Sequence, residues 1–222
     1  MNMKIVIHFP ILLFLIFESE GTWTGVNLTE EAYEYIEKLV LKGRNVTSWG
    51  LGADYDFWTN VSHAEDVYPI TARAHDLWCN NYQLYDPMGK ILRLRMTFEI
   101  TKGVLSPFPA IFNATLPMIQ LWQVASKTAK IDMNNKTRIV LNMLNTYNPQ
   151  IHRNVKRYRT KCKFQGRINY DGYFAYKDSH RYHTVGVGHL ENFRKGLVRL
   201  APWYLEYFVE GEYEQRIIVS VK

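Results

Sequence analysis

The sequence predicts a mainly β fold, an antiparallel sandwich or barrel with an N-terminal α-helix. Three observations predict it. Apolar residues recur at helical spacing over one stretch, residues 29–42, and beyond residue 67 the period changes to two. The alternating runs are apolar on one side and charged on the other, which favours antiparallel pairing over a buried parallel sheet. Turn residues divide them into six or more strands without intervening helices, the pattern of a sandwich or barrel.

The elements follow in order. In the helix Ala32, Ile36, Leu39 and Val40 share a face, Thr29 stands where an N-cap belongs, and Glu30 and Glu31 suit the positive end. Glu34 and Lys38 form an i, i+4 pair, and Gly43 occupies the C-cap position. Residues 44–65 carry two glycines and no sustained period, and read as loop. Residues 70–80 fit helix and strand equally. In residues 91–100, Leu92, Leu94, Met96, Phe98 and Ile100 alternate with Arg93, Arg95, Thr97 and Glu99, a half-buried strand. Tyr158, Thr160, Cys162 and Phe164 alternate with Arg157, Arg159, Lys161 and Lys163 in the same way. Weaker strands are expected at 136–145, 170–177, 182–190, 197–200, 203–209 and 213–221. Asp86-Pro87-Met88-Gly89, Asn148-Pro149 and Glu210-Gly211 read as turns. Pro107, Pro109 and Pro117 demote residues 105–118 to edge or irregular structure.

The 222 residues are 47% apolar and 22% charged, too apolar for intrinsic disorder, and two cysteines are too few for a disulfide-dense scaffold. Residues 1–21 have the layout of a secretory signal peptide. Lys4 lies in a short positive start, residues 5–17 are an apolar run too short to span a bilayer, and Ser19 and Gly21 supply small residues before the cleavage point. Residues 22–222 are then expected as one β-rich secreted domain with no membrane span. Five N-x-[ST] sequons, at Asn27, Asn45, Asn60, Asn113 and Asn135, point the same way. Chance placement gives roughly 1.4. Each glycosylated Asn must face solvent, and three of them precede residue 61, so an exposed N-terminal third is expected. In an oxidising compartment Cys79 and Cys162 are expected to pair.

No catalytic, cofactor or metal site emerges from the motifs. There is no G-x-S-x-G and no H-E-x-x-H. His180, His183 and His189 match no ligand spacing, and His180 falls on the opposite strand face from the other two. Gly50-Leu-Gly52 and Gly186-Val-Gly188 lack the rest of a phosphate-binding loop and read as turn or strand glycines. Aromatic clusters at Tyr55-Asp-Phe57-Trp58, around Trp78 and Tyr82, and at Trp203 to Phe208 are expected mostly in the core, with a ligand cavity or a protein-binding patch as the other uses.

Charge is uneven. Residues 22–66 hold eight acids against three Lys or Arg, whereas residues 67–222 hold 11 acids against 23. A basic body suggests acidic partners, and export argues against nucleic acid. The densest stretch, residues 152–167, has seven cations and no acid. Lys156, Arg157, Arg159, Lys161 and Lys163 form a candidate surface for an anionic partner such as a sulfated glycan. Cross-strand pairing with Glu206, Glu210, Glu212 or Glu214 is the competing use of those cations.

Gly21-Thr22-Trp23 resembles the G-x-W opening of lipocalins, although here the helix follows the tryptophan; that resemblance implies a carrier of a small amphipathic ligand. The whole-chain profile is similar to the tick salivary immunosuppressant glycoproteins: a signal peptide, about 200 mature residues, few cysteines, and sequons at Asn27, Asn45, Asn60, Asn113 and Asn135 around a tyrosine-rich β body. This resemblance implies a non-enzymatic saliva protein that binds a host extracellular or immune-cell protein and dampens host lymphocyte responses.

Overall fold

The computed structural model describes residues 24–62, 64–80, 89–114 and 129–221. The predicted signal segment 1–21, the Gly21-Thr22-Trp23 triplet, His63, Tyr82, residues 86–88 of the predicted turn and Pro117 lie outside the described residues.

Three long strands run side by side: β4 (Ile91–Leu105), β8 (Val155–Asp171) and β12 (Tyr204–Ser220). β12 is central, antiparallel to β8 along its whole length and to β4 from Glu210 onward. β3 (Thr71–Asn80) pairs with the far side of β8. The outer side of β4 is shared by β7 (Arg138–Asn145), antiparallel, and β1 (Thr24–Asn27), parallel. β11 (Val198–Ala201) takes the edge of β12 before β4 begins. Among the described residues the seven-stranded sheet stays open, with β3 at one edge and β1 and β7 at the other, so the fold is sandwich-like with no closed barrel there.

The second layer is built from smaller pieces. β5 (Ile111–Ala114) pairs with β6 (Ala129–Asp132), while β2 (Val46–Gly50), β9 (Tyr173–Asp178) and β10 (Tyr182–Gly186) form a three-stranded sheet around β9. Helices α1 (Leu28–Leu41) and α2 (Asp56–Asn60) complete it. One apolar core draws on the sheet (Phe98, Tyr213, Phe164), on β5 and β6 (Phe112, Ile131), on α1 (Ala32, Ile36) and on β9 (Phe174).

The alternation predicted for β4 and β8 is observed, and cross-strand register aligns it. Phe98, Tyr213 and Cys162 form one inward row, and Leu94, Ile217 and Tyr158 another. Residues between them face outward. Residues 203–209 and 213–221, expected as two strands around a Glu210-Gly211 turn, are one strand. Gly211 marks a bulge against β4: a Cβ there would lie 2.1 Å from the Glu99 carbonyl oxygen and 2.7 Å from the Phe164 ring. The glycine permits close approach of a neighbouring backbone, not a reversal.

Other boundaries shift for local reasons. The helix begins one residue early because Asn27, not Thr29, caps it, its Oδ1 accepting from the Thr29 and Glu30 N–H groups at 3.1 and 3.4 Å. Its end matches the expectation. Gly43 has φ +86°, the Gly43 N–H donates to Val40 and the Arg44 N–H to Leu39, the paired bonds of a Schellman cap. Ala32 and Ile36 are buried as expected and Leu39 packs on the core, but Val40 is half exposed. Glu34 lies 3.7 Å from Lys195 across the fold instead of pairing with Lys38. Glu31, expected at a solvated helix start, is buried, accepting from Lys195 Nζ at 2.6 Å and Asn192 Nδ2 at 3.0 Å. That bond raises the Lys195 ammonium above its ordinary range.

Residues 44–65, read as loop, contain β2 and α2, and residues 70–80 resolve as β3. The expected strand at 182–190 ends at Gly186, where a 3₁₀ turn, Val187–Leu190, begins. The Asn148-Pro149 turn is present, with the Ile151 N–H donating to the Asn148 carbonyl. The N-terminal third is not an exposed appendage: Val26, Leu28, Leu51 and Phe57 are core residues.

Cys79 on β3 and Cys162 on β8 form a disulfide, with Cα atoms 5.8 Å apart and a sequence separation of 83. The bridge ties the edge strand β3 to the sheet. Closing so long a loop restricts the unfolded chain by roughly 4–5 kcal/mol. Replacing both cysteines by alanine is expected to remove stability of that order, read as a lower urea midpoint with a steeper slope because the unbridged unfolded chain exposes more surface; an unchanged midpoint would show that the bridge constrains nothing.

Candidate anion-binding face

The outward face of the β4–β12–β8 ladder carries charge in ordered rows. At its middle, Glu99, Glu212 and Lys163 lie opposite one another, with Arg138 of β7 beyond Glu99. The next row is Thr97, Glu214 and Lys161. Toward the Ile91 end of β4 the row is Arg95, Arg216 and Arg159, and the last is Arg93, Ile218 and Arg157.

This map divides the basic strand predicted from sequence. Arg159 donates from Nε and Nη2 to the two carboxylate oxygens of Glu214 at 2.9 and 3.0 Å. Lys161 donates to Glu212. These two cations are therefore used by cross-strand acids, the competing role foreseen for them. Glu206 lies 3.7 Å from Arg167, and Glu210 accepts from Lys102 and Gln165. Arg157 and Lys163 have no acid within ion-pair distance among the described residues. Lys156 alternates to the opposite side of β8 and is exposed near the strand's start.

In place of a row along β8, the structure brings together a cluster across three strands. Arg93, Arg95, Arg157, Arg159 and Arg216, with Ile218, line a cleft of about 400 Å³. Arg93, Arg95 and Arg216 were not singled out from sequence. Their signal was their place on the wet side of predicted strands, but which strands are neighbours was not legible.

Glu214 is the one carboxylate paired with this cluster among the described residues, accepting from Arg216 Nε as well as from Arg159. The Arg216 hydrogen bond leads the interactions that hold its carboxyl down at about 2. Five guanidiniums thus share one hydrogen-bonded carboxylate, with Glu99 adding a weaker attraction to Arg216. Adjacent strands lie about 4.8 Å apart, and like charges placed directly opposite destabilise a sheet by roughly 0.2–1 kcal/mol per pair. Arg95, Arg216 and Arg159 are such an arrangement, one Glu214 offsetting only part of it. Guanidinium groups stay protonated and only donate, so they can hold an oxyanion.

The remaining expected groups stand elsewhere. His183 Nε2 lies 2.6 Å from Asp178 Oδ2 and its ring stacks on Tyr176, with centroids 4.9 Å apart. Asp178 also accepts from the N–H groups of Arg181 and His180, and the three bonds hold its carboxyl below the usual range. His189 lies in the 3₁₀ turn beside Tyr35. Gly50 and Gly186 end strands, while Gly52 and Gly188 lie in a bend and the 3₁₀ turn. Phe57 and Tyr55 pack against Tyr182, Tyr207 is buried with its hydroxyl donating to the Gly103 carbonyl, and Trp78 and Trp203 are partly exposed.

The sequons fall away from the arginines. Asn27 pairs with Leu105, ten residues along β4 from Arg95, or roughly 33 Å at strand rise. The Asn135 N–H donates to Val104 at that same end. Asn45 precedes β2 and Asn60 ends α2, both in the part of the fold beyond Asp171, which is twelve residues, or roughly 40 Å, along β8 from Arg159. Asn113 is next to Phe112, which packs at Gly166, seven residues or roughly 23 Å from Arg159. Asn45, Asn60, Asn113 and Asn135 are exposed, and Asn27 is partly buried.

No family model and no curated protein matches the chain. Among solved structures it is similar to a chain of the Cry23Aa1–Cry37Aa1 binary protein complex, at 10% identity and TM-score 0.39, covering 89% of this chain and 86% of that one. A non-toxic crystal protein from Bacillus thuringiensis gives 10% identity and TM-score 0.39, over 88% and 94%. The Mpp75Aa1.1 beta-pore-forming protein from Brevibacillus laterosporus gives 8% and 0.27, over 88% and 87%. No helix among the described residues is long and apolar enough to cross a membrane, a statement about helices alone.

Two outcomes test the electrostatics. Arg95→Gln relieves like-charge repulsion and is expected to raise the thermal midpoint by roughly 1–2 °C; a fall would make the row structural. Glu214 is held below its ordinary value of 4.5, so its ion pairs contribute stability above pH 4.5 and lose it as pH falls toward about 2. The stability difference between the native protein and Glu214→Gln is therefore expected to shrink over that interval in urea titrations, and a pH-independent difference would contradict it.

Proposed function

We propose that this protein is exported with removal of residues 1–21, is N-glycosylated at its sequons, and acts outside the cell as a non-enzymatic binding protein. Its target is a host extracellular or immune-cell component, and its effect is suppression of the host immune response, as the resemblance to tick salivary glycoproteins implies. The observation that carries the binding part is the segregation of two features: an arginine-lined cleft at one end of the sheet, and five glycosylation sequons at a distance from it. A glycan on each sequon leaves that end free. Retaining adjacent arginines at a cost in stability is the pattern of a surface kept for contact rather than for folding.

The test is a lymphocyte-binding and proliferation assay with glycosylated protein secreted from animal cells. Micromolar protein is expected to bind the cells and reduce proliferation, and Arg95→Ala with Arg157→Ala to weaken both effects tenfold or more. Retention of an uncleaved, sugar-free chain in the cytosol would overturn the export reading. Undiminished proliferation would overturn the immune one.

A further inference from the structure

We infer that the five-arginine cleft is a binding site for sulfate groups of a sulfated polysaccharide, with the glycan chain running across the strands rather than along β8. The inference rests on the binding role just proposed for this end and names its ligand. Arg95, Arg216 and Arg159 stand side by side over three strands, and Arg93 and Arg157 flank Ile218 in the adjacent row. Two guanidinium rows two residues apart lie about 7 Å from each other. Each planar guanidinium offers paired N–H donors to an oxyanion, which lysine does not. Glu214 orients Arg159 and Arg216 without neutralising the cluster.

The cleft's size and surroundings select among anionic partners. About 400 Å³ suits a small sugar unit with its anionic groups, and Ile218 gives an apolar wall for a ring face. Beyond the cleft, at the same end of the sheet, Lys90 and Arg153 are exposed on the segments before β4 and β8. The Ser220 N–H donates to the Lys90 carbonyl and the Val221 N–H to Asn154, which holds these segments together around the strand ends. A concave site with a basic rim fits a polymer that places one unit in the cleft and extends beyond it. Sugar rings are stiffer than acidic side chains, so less freedom is lost on binding than with an acidic peptide. A lipid surface is flat and gains less from a concavity.

The test measures the glycosylated full chain on immobilised heparin and by calorimetry with heparin oligosaccharides, against phosphatidylserine vesicles and a poly-glutamate peptide. Heparin retention above physiological salt is expected. Arg95→Ala and Arg157→Ala should each weaken oligosaccharide binding about tenfold or more and flatten the salt dependence. Lys161→Ala, on the Glu212-paired cation, should change it little. Both arginine variants are expected to keep the native thermal midpoint or raise it, so lost binding is not lost folding. Equal losses for Lys161→Ala, or preference for the vesicles or the peptide, would overturn the inference. If oligosaccharides fail to bind while Arg95→Ala still abolishes lymphocyte binding, this inference falls and the binding role stands. If heparin binding depends on Arg95 while proliferation is undiminished by the native protein, the immune role falls and the sulfate site stands.

Discussion

β12 is hydrogen-bonded on both sides for most of its 17 residues, and the position of nearly every other element follows from that double ladder. Side chains alternate with period two, so a slip of one residue against β4 or β8 would turn Phe98, Tyr213 and Phe164 outward and the arginines into the core. Register is consequently fixed by burial. Gly211 sharpens it, because the Glu99 carbonyl occupies the space a Cβ would need. The disulfide from Cys162 then attaches β3 to an already aligned sheet.

The same register that builds the core also sorts charge on the opposite face. Acids and bases are mixed in the middle rows, giving pairs such as Arg159 with Glu214 and Lys161 with Glu212. Of these, the Lys161–Glu212 pair is exposed on both sides and contributes little to stability. Toward the Ile91 end of β4 the acids run out and only arginines remain across the three strands. A surface that needed charge only for solubility would intersperse the two signs. Concentration of one sign in a cleft, far from the positions open to glycosylation, is what the proposed binding role requires.

Much of the fold was legible in sequence because its signals are local. The Schellman cap needed Gly43, the β4 and β8 alternation needed only consecutive residues, and a lone pair of cysteines allows one intramolecular bridge. Errors came where a residue type has two uses. Gly211 read as a turn residue because close backbone approach and chain reversal both select glycine. Asn27 read as a glycosylation acceptor alone, and its carbonyl also caps α1. Glu31 read as a solvated helix-dipole partner, and a distant lysine and asparagine make its burial tolerable.

The candidate site shows the same division. That Arg157, Arg159, Lys161 and Lys163 share a face was determined by the period of a strand, and the sequence alone established it. Whether any of them is free was not, because the answer depends on which residue lies opposite, some 50 positions away along the chain. Tertiary structure decided that Glu214 and Glu212 take two of them, and that Arg93, Arg95 and Arg216 join Arg157 and Arg159 in a cleft. The reason is physical: strand periodicity is a property of adjacent residues, whereas cross-strand neighbourhood is set by long-range register, which only the packed core selects.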